Sequence, residues 1–265
     1  MLLAGQPRHS AQNSPEAWRY LEESFALSRQ AALRSRCCLN VPYGDSPDLA
    51  LDVFQPAPQG DRVPVLLFLH GGGFVSGSKE NVGLLAPAVT HLPAVLVTPS
   101  YRLAPTVTRL DQVADCVAAL LWTFQHIDRF GGDPQRIFVG GHSAGGSLAI
   151  YLALGRANGC RLEIPGGLVK GCFPVSAPLE REWVGPKPAG RLPPFFLTWG
   201  EQDIPPVLQG NPLFAQWLES CGTDVGTSIL DGLNHFEVAL AQGRPGNLWL
   251  KGIAQRIWPR SEVQL

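Results

Sequence analysis

The sequence lacks features that would point to several large classes of protein. It has no apolar run near the roughly 20 residues that a membrane-spanning helix needs, and Met1 to Ser14 show no basic segment followed by an apolar one. Only 16% of its 265 residues are charged, and the net charge is −1. So small a charge excess does not suit binding to nucleic acid or to an anionic membrane. These absences predict a cytoplasmic protein without a membrane span or a nucleic-acid partner.

Cysteine spacing also argues against a metal or redox site. No C-x-x-C motif is present, and most of the cysteines lie in apolar runs. Free thiols in such runs commonly behave as small core side chains. We therefore expect buried free thiols and no metal site. The six cysteines are Cys37, Cys38, Cys116, Cys160, Cys172 and Cys221.

From Val63 onward, short aliphatic runs alternate with longer segments that have apolar residues at helical spacing. Continuous apolar runs are typical of parallel strands covered on both faces. Segments 111–124 and 143–154 have the helical spacing, which predicts crossover helices. We expect one α/β domain over residues 1–265, with a mostly parallel central sheet and helices on both faces. The predicted strands are Val65–Leu69, Ala94–Val97, Ile137–Val139, Leu168–Val175 and Phe195–Thr198.

Three segments depart from this alternation. Pro15–Ser35 has a helical pattern with a polar face and is expected to cover one side of the sheet, while Leu49–Phe54 alternates like a half-exposed antiparallel edge strand. Ser176–Pro194 is rich in proline, glycine and charge, which favours a surface excursion. We expect residues 1–35 and 176–194 to form a small cap beside the site.

One serine lies in a tight turn between a predicted strand and a predicted helix. The sequence GHSAG, with Ser143 at its centre, directly follows Ile137–Val139 and opens the segment 143–154. Its glycines leave room for neighbouring backbone, and the turn presents the serine hydroxyl above the sheet. The bare pattern is a modest signal in a chain with 29 glycines, and an ordinary helix cap is the alternative. The position between strand and helix predicts that Ser143 is a nucleophile.

A second glycine-rich turn, HGGGF from His70 to Phe74, directly follows the strand Val65–Leu69. At this position a hydrolase presents backbone N–H groups to a developing negative charge. A phosphate-binding loop is the rival, but no Gly-Lys-Ser/Thr follows and G-x-G-x-x-G is incomplete. The predicted oxyanion donors are the N–H groups of Gly72, Gly73 and Ala144.

An acid and a base follow the serine in the order Ser, Asp, His. Asp203 comes just after the strand Phe195–Thr198, and His235 follows a further predicted strand, Gly226–Leu230. A serine hydroxyl is a poor nucleophile until an imidazole takes its proton, and a carboxylate fixes the tautomer of that imidazole. The sequence therefore predicts His235 as general base and Asp203 as the acid that orients it.

Two other carboxylates stay open as alternatives for the acid. Glu201 lies two residues before Asp203, and Asp231 lies four residues before His235. The other histidines are expected to be structural or solvated; they are His9, His70, His91, His126 and His142.

Five motifs together resemble one family. HGGGF, PSYRLAP, GGDPQRIFVGGHSAGG, GEQD and NHFE are similar to those of the hormone-sensitive-lipase-like α/β-hydrolases, and they extend roughly from Val63 to Glu237. The histidine before the serine is closer to the small acetyl/feruloyl esterases and the kynurenine-formamidase-like members. The resemblance implies hydrolysis of esters, or less often of aryl formamides, through an acyl-enzyme without a cofactor. It also implies that Tyr101, Arg102 and Asp115 are scaffold.

The segment that corresponds to the cap of these relatives is short in this chain. A short cap implies an open site that prefers short acyl groups, and four aromatic residues near the active-site turns are predicted to line it: Phe74, Phe173, Trp199 and Phe236. The predicted function is a serine carboxylesterase acting on short-chain or aryl esters. An arylformamidase acting on N-formylkynurenine and a ligand-binding protein that has lost catalysis are the alternatives. The predicted partner is the small-molecule ester or formamide, and a homodimer is a further candidate.

Overall fold

The computed structural model describes residues 14–58, 60–157, 159–179, 185, 190–244 and 246–258. Within the predicted excursion 176–194, residues 180–184 and 186–189 lie outside the described residues, and so does His9. In the part of the chain that the structure describes, no helix combines the length and apolar character needed to cross a membrane.

The described residues form an eight-stranded sheet with the strand order β1-β2-β4-β3-β5-β8-β9-β10. Strands β3, β4, β5, β8, β9 and β10 run parallel to one another, whereas β2 pairs antiparallel with both β1 and β4. A two-stranded ladder, β6 with β7, lies apart from this sheet. The strands are β1 Arg36–Pro42, β2 Ala50–Gln55, β3 Val63–Leu69, β4 Val95–Pro99, β5 Gly132–His142, β6 Arg156–Ala157, β7 Cys160–Arg161, β8 Val169–Val175, β9 Phe195–Gln202 and β10 Val225–Asn234.

Helices connect these strands and cover both faces of the sheet. They are α1 Pro15–Arg34, α2 Ala86–His91, α3 Arg109–His126, α4 Ala144–Leu154, α5 Pro205–Ser220, α6 His235–Gln242 and α7 Leu248–Ile257, with 3-10 turns at Lys79–Asn81, Gly83–Leu85 and Ile127–Phe130. The predicted helical segments at 15–35, 111–124 and 143–154 correspond to α1, α3 and α4. Helices α5, α6 and α7 were not predicted from the sequence.

The central strand β3 shows why its sequence is apolar without alternation. Val65, Leu67 and Leu69 belong to a core cluster with residues of α3, α4 and α5. Leu66 and Phe68 belong to a second cluster, with residues of α1, α2 and α7. Successive side chains of a strand point to opposite faces, so a strand covered on both faces is apolar at every position.

The edge of the sheet differs from the prediction. Leu49–Phe54 was expected to be a half-exposed edge strand, but β2 is hydrogen-bonded on both sides and its residues 51–54 are buried. The edge on this side is β1, whose residues are partly exposed or exposed. The alternation in β2 was misread because Asp52 is a buried charge, paired with Lys79. The antiparallel orientation was predicted correctly.

Helix α1 packs against the turns at 79–85 and against α6 rather than simply covering one side of the sheet. Ser14 caps its first turn by accepting a hydrogen bond from the Ala17 N–H. Two buried serines on its inner face hold it in place: the Asn81 amide donates to Ser24 Oγ at 3.1 Å, and the Leu84 N–H donates to Ser28 Oγ at 2.7 Å. These bonds fix α1 above the carboxyl edge of the sheet.

All six cysteines are free thiols, as predicted, but their burial varies. Cys116 and Cys172 are buried core residues, whereas Cys160 is exposed and the other three are partly exposed. The expectation that they are buried is therefore wrong for Cys160, which lies in the short ladder outside the main sheet.

Candidate active site

Ser143 lies between the end of β5 and the start of α4, with φ 53° and ψ −122°. This left-handed conformation is unusual for a serine and is typical of strained functional turns. No residue with a side chain fits at Gly141 or Gly145, on either side of the serine. A Cβ on Gly141 would lie 2.3 Å from the Gly145 carbonyl oxygen, and a Cβ on Gly145 would lie 2.2 Å from the Leu69 carbonyl oxygen. The GHSAG sequence thus follows from close backbone packing around the serine.

His235 is the first residue of α6, and its imidazole bridges Ser143 and Asp203. Nε2 is 2.9 Å from Ser143 Oγ, and Nδ1 is 2.7 Å from Asp203 Oδ1. Since a carboxylate only accepts, Nδ1 carries the proton and Nε2 is left to accept the serine hydroxyl. His235 Nε2 is therefore oriented to accept the proton of the serine hydroxyl, as a general base must.

Asp203 follows β9, and both of its carboxylate oxygens are engaged. Oδ1 accepts from His235 and from the Ile204 N–H at 2.8 Å, while Oδ2 accepts from the Ser176 hydroxyl at 2.5 Å and from the Gly200 N–H at 3.2 Å. Burial alone raises the pKa of Asp203, but the hydrogen bonds from His235, Ser176 and Ile204 outweigh it and hold the pKa below its ordinary value. The carboxylate is therefore ionised at neutral pH.

The two alternative acids lie elsewhere. Glu201 is exposed and accepts a hydrogen bond from the Gly232 N–H at 2.9 Å, so it braces the end of β10, at the register shift between Leu230 and Asn234. Asp231 is exposed as well. Of the three carboxylates, the structure brings Asp203 to the imidazole.

The HGGGF turn after β3 has the backbone shape expected of an oxyanion loop. Gly72 and Gly73 have φ values of 120° and 60°, and a Cβ on Gly72 would lie 2.0 Å from the Ser76 carbonyl oxygen. The Gly72 carbonyl accepts bonds from the Val75 N–H, the Ser76 N–H and Ser76 Oγ, which closes the loop on itself. Ala144 is the first residue of α4, so its N–H has no partner within the helix. Gly72, Gly73 and Ser143 line the same cavity.

Comparisons with known proteins agree with this architecture. A family profile described as alpha/beta hydrolase fold matches residues 66–169. The solved structure of EstE1, a thermophilic carboxylesterase cloned from a metagenomic library, superimposes with a TM-score of 0.72 at 24% identity, covering 94% of this chain and 100% of that chain. This chain has the α/β-hydrolase fold.

Curated relatives match part of this chain. Carboxylesterase NlhH of Mycobacterium tuberculosis is 35% identical over 114 residues, which are 43% of this chain and 36% of that enzyme. Ethyl acetate hydrolase of Pseudomonas putida is 35% identical over 153 residues, covering 56% of this chain and 48% of its own. Kynurenine formamidase of Salmo salar is 31% identical over 155 residues, which are 53% of this chain and 50% of that enzyme. The chain thus spans at most half the length of these three relatives.

Beneath the two glycine-rich turns, the chain has the scaffold contacts that the resemblance implies. The Tyr101 hydroxyl donates to the His70 carbonyl at 2.9 Å, and the two rings stack at 4.2 Å. The Arg102 guanidinium and the Asp115 carboxylate form an ion pair at 2.6 Å. Burial lowers the pKa of His70 to about 4, so its ring is neutral. The Gln112 amide donates to the Phe74 carbonyl at 2.7 Å, which anchors the far end of the oxyanion loop.

His142, which was expected to be structural, lies inside the site without being a proton-transfer group. Its Nε2 donates to the backbone carbonyl of His235 at 2.9 Å, and its ring lines the cavity. Burial and, second, the neighbouring His235 lower its pKa to about 3. A neutral ring that holds the His235 backbone is a positioning element. His126 packs against Trp122, and His91 is exposed.

A cavity of about 380 Å³ opens above Ser143, within the size range of small-ligand sites. Its walls come from α1, the oxyanion loop, the turn after β9 and the start of α6. The lining residues are Ala17, Tyr20, Leu21, Gly72, Gly73, Val75, Ser76, His142, Ser143, Ile204, His235 and Phe236. No three His, Cys, Asp or Glu side chains among the described residues are grouped to hold a metal.

Of the four aromatic residues predicted to form this wall, Phe236 is among the lining residues. The prediction is corrected for Phe173 and Trp199, which are core residues: Phe173 is fully buried and stacks on Phe138, and Trp199 is 5% exposed within the other cluster. Phe74 instead lies beneath the Arg109 guanidinium, 3.2 Å from its ring centroid. Strand residues next to a turn face the core as often as the site, which the sequence does not reveal.

Several residues of the site were missed, among them Ser176, Tyr20 and Leu21. Ser176 directly follows the predicted strand Leu168–Val175, so its place at a strand end was a usable signal. Tyr20 and Leu21 belong to a helix more than a hundred residues from Ser143 in the sequence, and no local pattern marks them as part of the cavity wall.

Proposed function

We propose that this chain is a serine carboxylesterase in which Ser143 is the nucleophile, His235 the general base and Asp203 the acid that orients the base. The observation that carries the proposal is the continuous hydrogen-bond chain from Ser143 through His235 to Asp203, with contacts of 2.9 and 2.7 Å. These groups meet at the carboxyl edge of the sheet, under an uncharged cavity. Relatives named as carboxylesterase and ethyl acetate hydrolase support the same activity.

The proposed reaction proceeds through an acyl-enzyme. Ser143 Oγ attacks the ester carbonyl carbon while its proton passes to His235 Nε2, and the carbonyl oxygen becomes an oxyanion. The N–H groups of Gly72, Gly73 and Ala144 are the proposed donors to that oxygen, each contributing about 3 kcal/mol when well placed. His235 then protonates the leaving alcohol. A water molecule, deprotonated by His235, attacks the acyl group, and the carboxylic acid leaves as Ser143 regains its proton.

The test is hydrolysis of p-nitrophenyl acetate, butanoate and octanoate by the wild type and by Ser143→Ala. Loss of the nucleophile is expected to lower kcat by about 10⁴-fold or more, because the triad acts as a unit. A cavity of this size predicts that acetate and butanoate are preferred to octanoate. Equal inertness of both proteins, together with no labelling of Ser143 by a fluorophosphonate, would favour the ligand-binding alternative over catalysis.

An arylformamidase is the second candidate, and the aromatic wall is what favours it. The rings of Tyr20 and Phe236 are stacked beside the cavity with centroids 5.5 Å apart, which suits an aryl substrate. A relative is named kynurenine formamidase. The kcat/KM values on N-formylkynurenine and on phenyl acetate distinguish the two candidates. An arylformamidase is expected to have a much higher kcat/KM on N-formylkynurenine than on phenyl acetate.

A single domain over 1–265, a cap that includes 176–194, a cytoplasmic location and a homodimer stay predictions. Gel filtration of the purified protein tests the homodimer, and cell fractionation tests the location.

A further inference from the structure

The cavity above Ser143 has a neutral wall whose polar side chains are mostly engaged. None of its described lining residues is Asp, Glu, Lys or Arg. The Ser76 hydroxyl donates to the Gly72 carbonyl at 2.9 Å. His142 Nε2 donates to the His235 carbonyl, and His142 Nδ1, which has no partner among the described residues, is sealed from the cavity. A charged substrate group would find no opposite charge in this wall.

Tyr20 is the exception. Its side chain lines the cavity and is only 6% exposed, yet its hydroxyl makes no hydrogen bond to any residue that the structure describes. Burial raises the pKa of this phenol, so the hydroxyl keeps its proton and can donate at neutral pH. The hydroxyl oxygen is not fully buried but opens to the cavity, where a ligand oxygen can accept its hydrogen bond.

The Tyr20 ring is held in a fixed orientation. It stacks on Phe236 at 5.5 Å and lies 5.7 Å from the His142 ring, next to the proposed base. The helix that carries it is fixed by the buried bonds of Ser24 and Ser28. A donor placed in advance costs little further ordering when a ligand binds, so it can contribute to specificity.

We propose that the Tyr20 hydroxyl donates a hydrogen bond to a second oxygen of the substrate, in addition to the ester group that Ser143 attacks. The substrate class is then a neutral ester whose acyl or alcohol group carries an ether, carbonyl or hydroxyl oxygen. Apolar contacts with Leu21, Ile204 and Phe236 bind the rest of that group. This inference rests on the proposed esterase function and adds to it the chemistry that selects the substrate.

The experiment uses pairs of esters that differ by one oxygen in place of a methylene group. On the acyl side the pair is p-nitrophenyl 3-methoxypropanoate and p-nitrophenyl pentanoate; on the alcohol side it is 2-methoxyethyl acetate and butyl acetate. For each pair the ratio of kcat/KM, oxygen ester over hydrocarbon ester, is measured for the wild type and for Tyr20→Phe. Intrinsic reactivity is the same for both enzymes and cancels in this comparison. We expect the ratio to fall about threefold to tenfold in Tyr20→Phe for at least one pair, as for the loss of one neutral hydrogen bond.

Ile204→Val is the matched control, because it shortens an apolar side chain in the same wall and leaves the Tyr20 hydroxyl and the Phe236 ring stacked on Tyr20 unchanged. It is expected to change both members of a pair alike and leave their ratio at the wild-type value. Unchanged ratios for both pairs in Tyr20→Phe would overturn the inference while leaving the esterase proposal intact. If the wild type hydrolyses none of the four esters, the esterase proposal fails and this inference fails with it.

Discussion

Two regions of the molecule meet at the cavity, and they are built on different principles. The first is the carboxyl edge of the sheet, where the turns after β3, β5 and β9 carry the oxyanion glycines, Ser143 and Asp203. The second is the wall formed by α1, Ile204 and the start of α6, with the turns at 79–85 packed against α1. At the edge the backbone dictates the residue type. At the wall, side chains from distant parts of the sequence only have to fill space and pair their polar atoms.

The difference shows in how each region tolerates change. At the edge, a Cβ on Gly145 would lie 2.2 Å from backbone, so a methyl group is not accommodated without moving the turn. In the wall, the apolar side chains of Leu21, Ile204 and Phe236 are partly accessible from the cavity and can be exchanged for others of similar volume. We therefore expect chemistry to depend on the edge, and substrate choice and stability to depend on the wall.

The largest effect is expected for Asp203→Asn at the edge. An asparagine cannot hold His235 in the tautomer that leaves Nε2 free to accept a proton, so kcat should fall by about 10⁴-fold with KM little changed. The control is Glu201→Gln, which removes the other nearby carboxylate but leaves His235 its partner. Steady-state kinetics on p-nitrophenyl butanoate measures both. A collapse in Glu201→Gln with an active Asp203→Asn would reverse the assignment of the acid.

The same contrast explains what could be predicted from the sequence. The turns around Ser143 and Gly72 were predictable because strained backbone at a strand end restricts the sequence to glycine-rich patterns that are visible locally. The strands of the doubly covered sheet were predictable for a similar reason, since burial on both faces makes them apolar at every position. Wherever one residue type sets the geometry, the sequence shows it.

The wall and the antiparallel strands β1 and β2 were not predictable in this way. Tyr20 reaches the cavity through the packing of α1 against residues more than fifty positions away, which no local pattern encodes. Phe173 and Trp199 were assigned to the wall from their closeness in sequence to the turns, but they pack in the core. In β2, Asp52 was misread as part of the polar face of an edge strand. The structure shows that it is buried and forms an ion pair with Lys79 at 3.0 Å. From the sequence alone, a buried charged residue cannot be distinguished from an exposed one, because the residue that pairs with it is not known.

An intermediate effect is expected for Ser176→Ala. Ser176 belongs to the edge, and it acts on Asp203 through the 2.5 Å hydrogen bond that its hydroxyl donates to Oδ2. Removing the hydroxyl takes away one of the bonds that hold the pKa of Asp203 down, so that pKa rises. We expect kcat to fall about tenfold, as for a lost bond to a charged group, and the acid limb of the kcat profile to move to higher pH.

The backbone of Ser176 requires its own control, because this residue has φ 49°. Ser176→Gly relieves the strain of that conformation, whereas Ser176→Ala keeps it, and both lack the hydroxyl. If the hydroxyl matters, both variants show the same displaced pH profile. If the glycine variant behaves like the wild type, the defect of the alanine variant is one of backbone strain and the positioning role is wrong.

The smallest effect on catalysis is expected in the wall, from Ser28→Ala. Ser28 is 2% exposed and its Oγ accepts the Leu84 N–H at 2.7 Å, so the change leaves a buried N–H without a partner. We expect the free energy of unfolding to fall by about 1–3 kcal/mol, measured by urea denaturation, with kcat/KM on p-nitrophenyl acetate nearly unchanged at 25 °C. Glu22→Ala, at an exposed position of the same helix, should change neither quantity. A Ser28→Ala variant with native stability but a tenfold slower reaction would instead show that α1 takes part in catalysis, and the division between edge and wall would not hold.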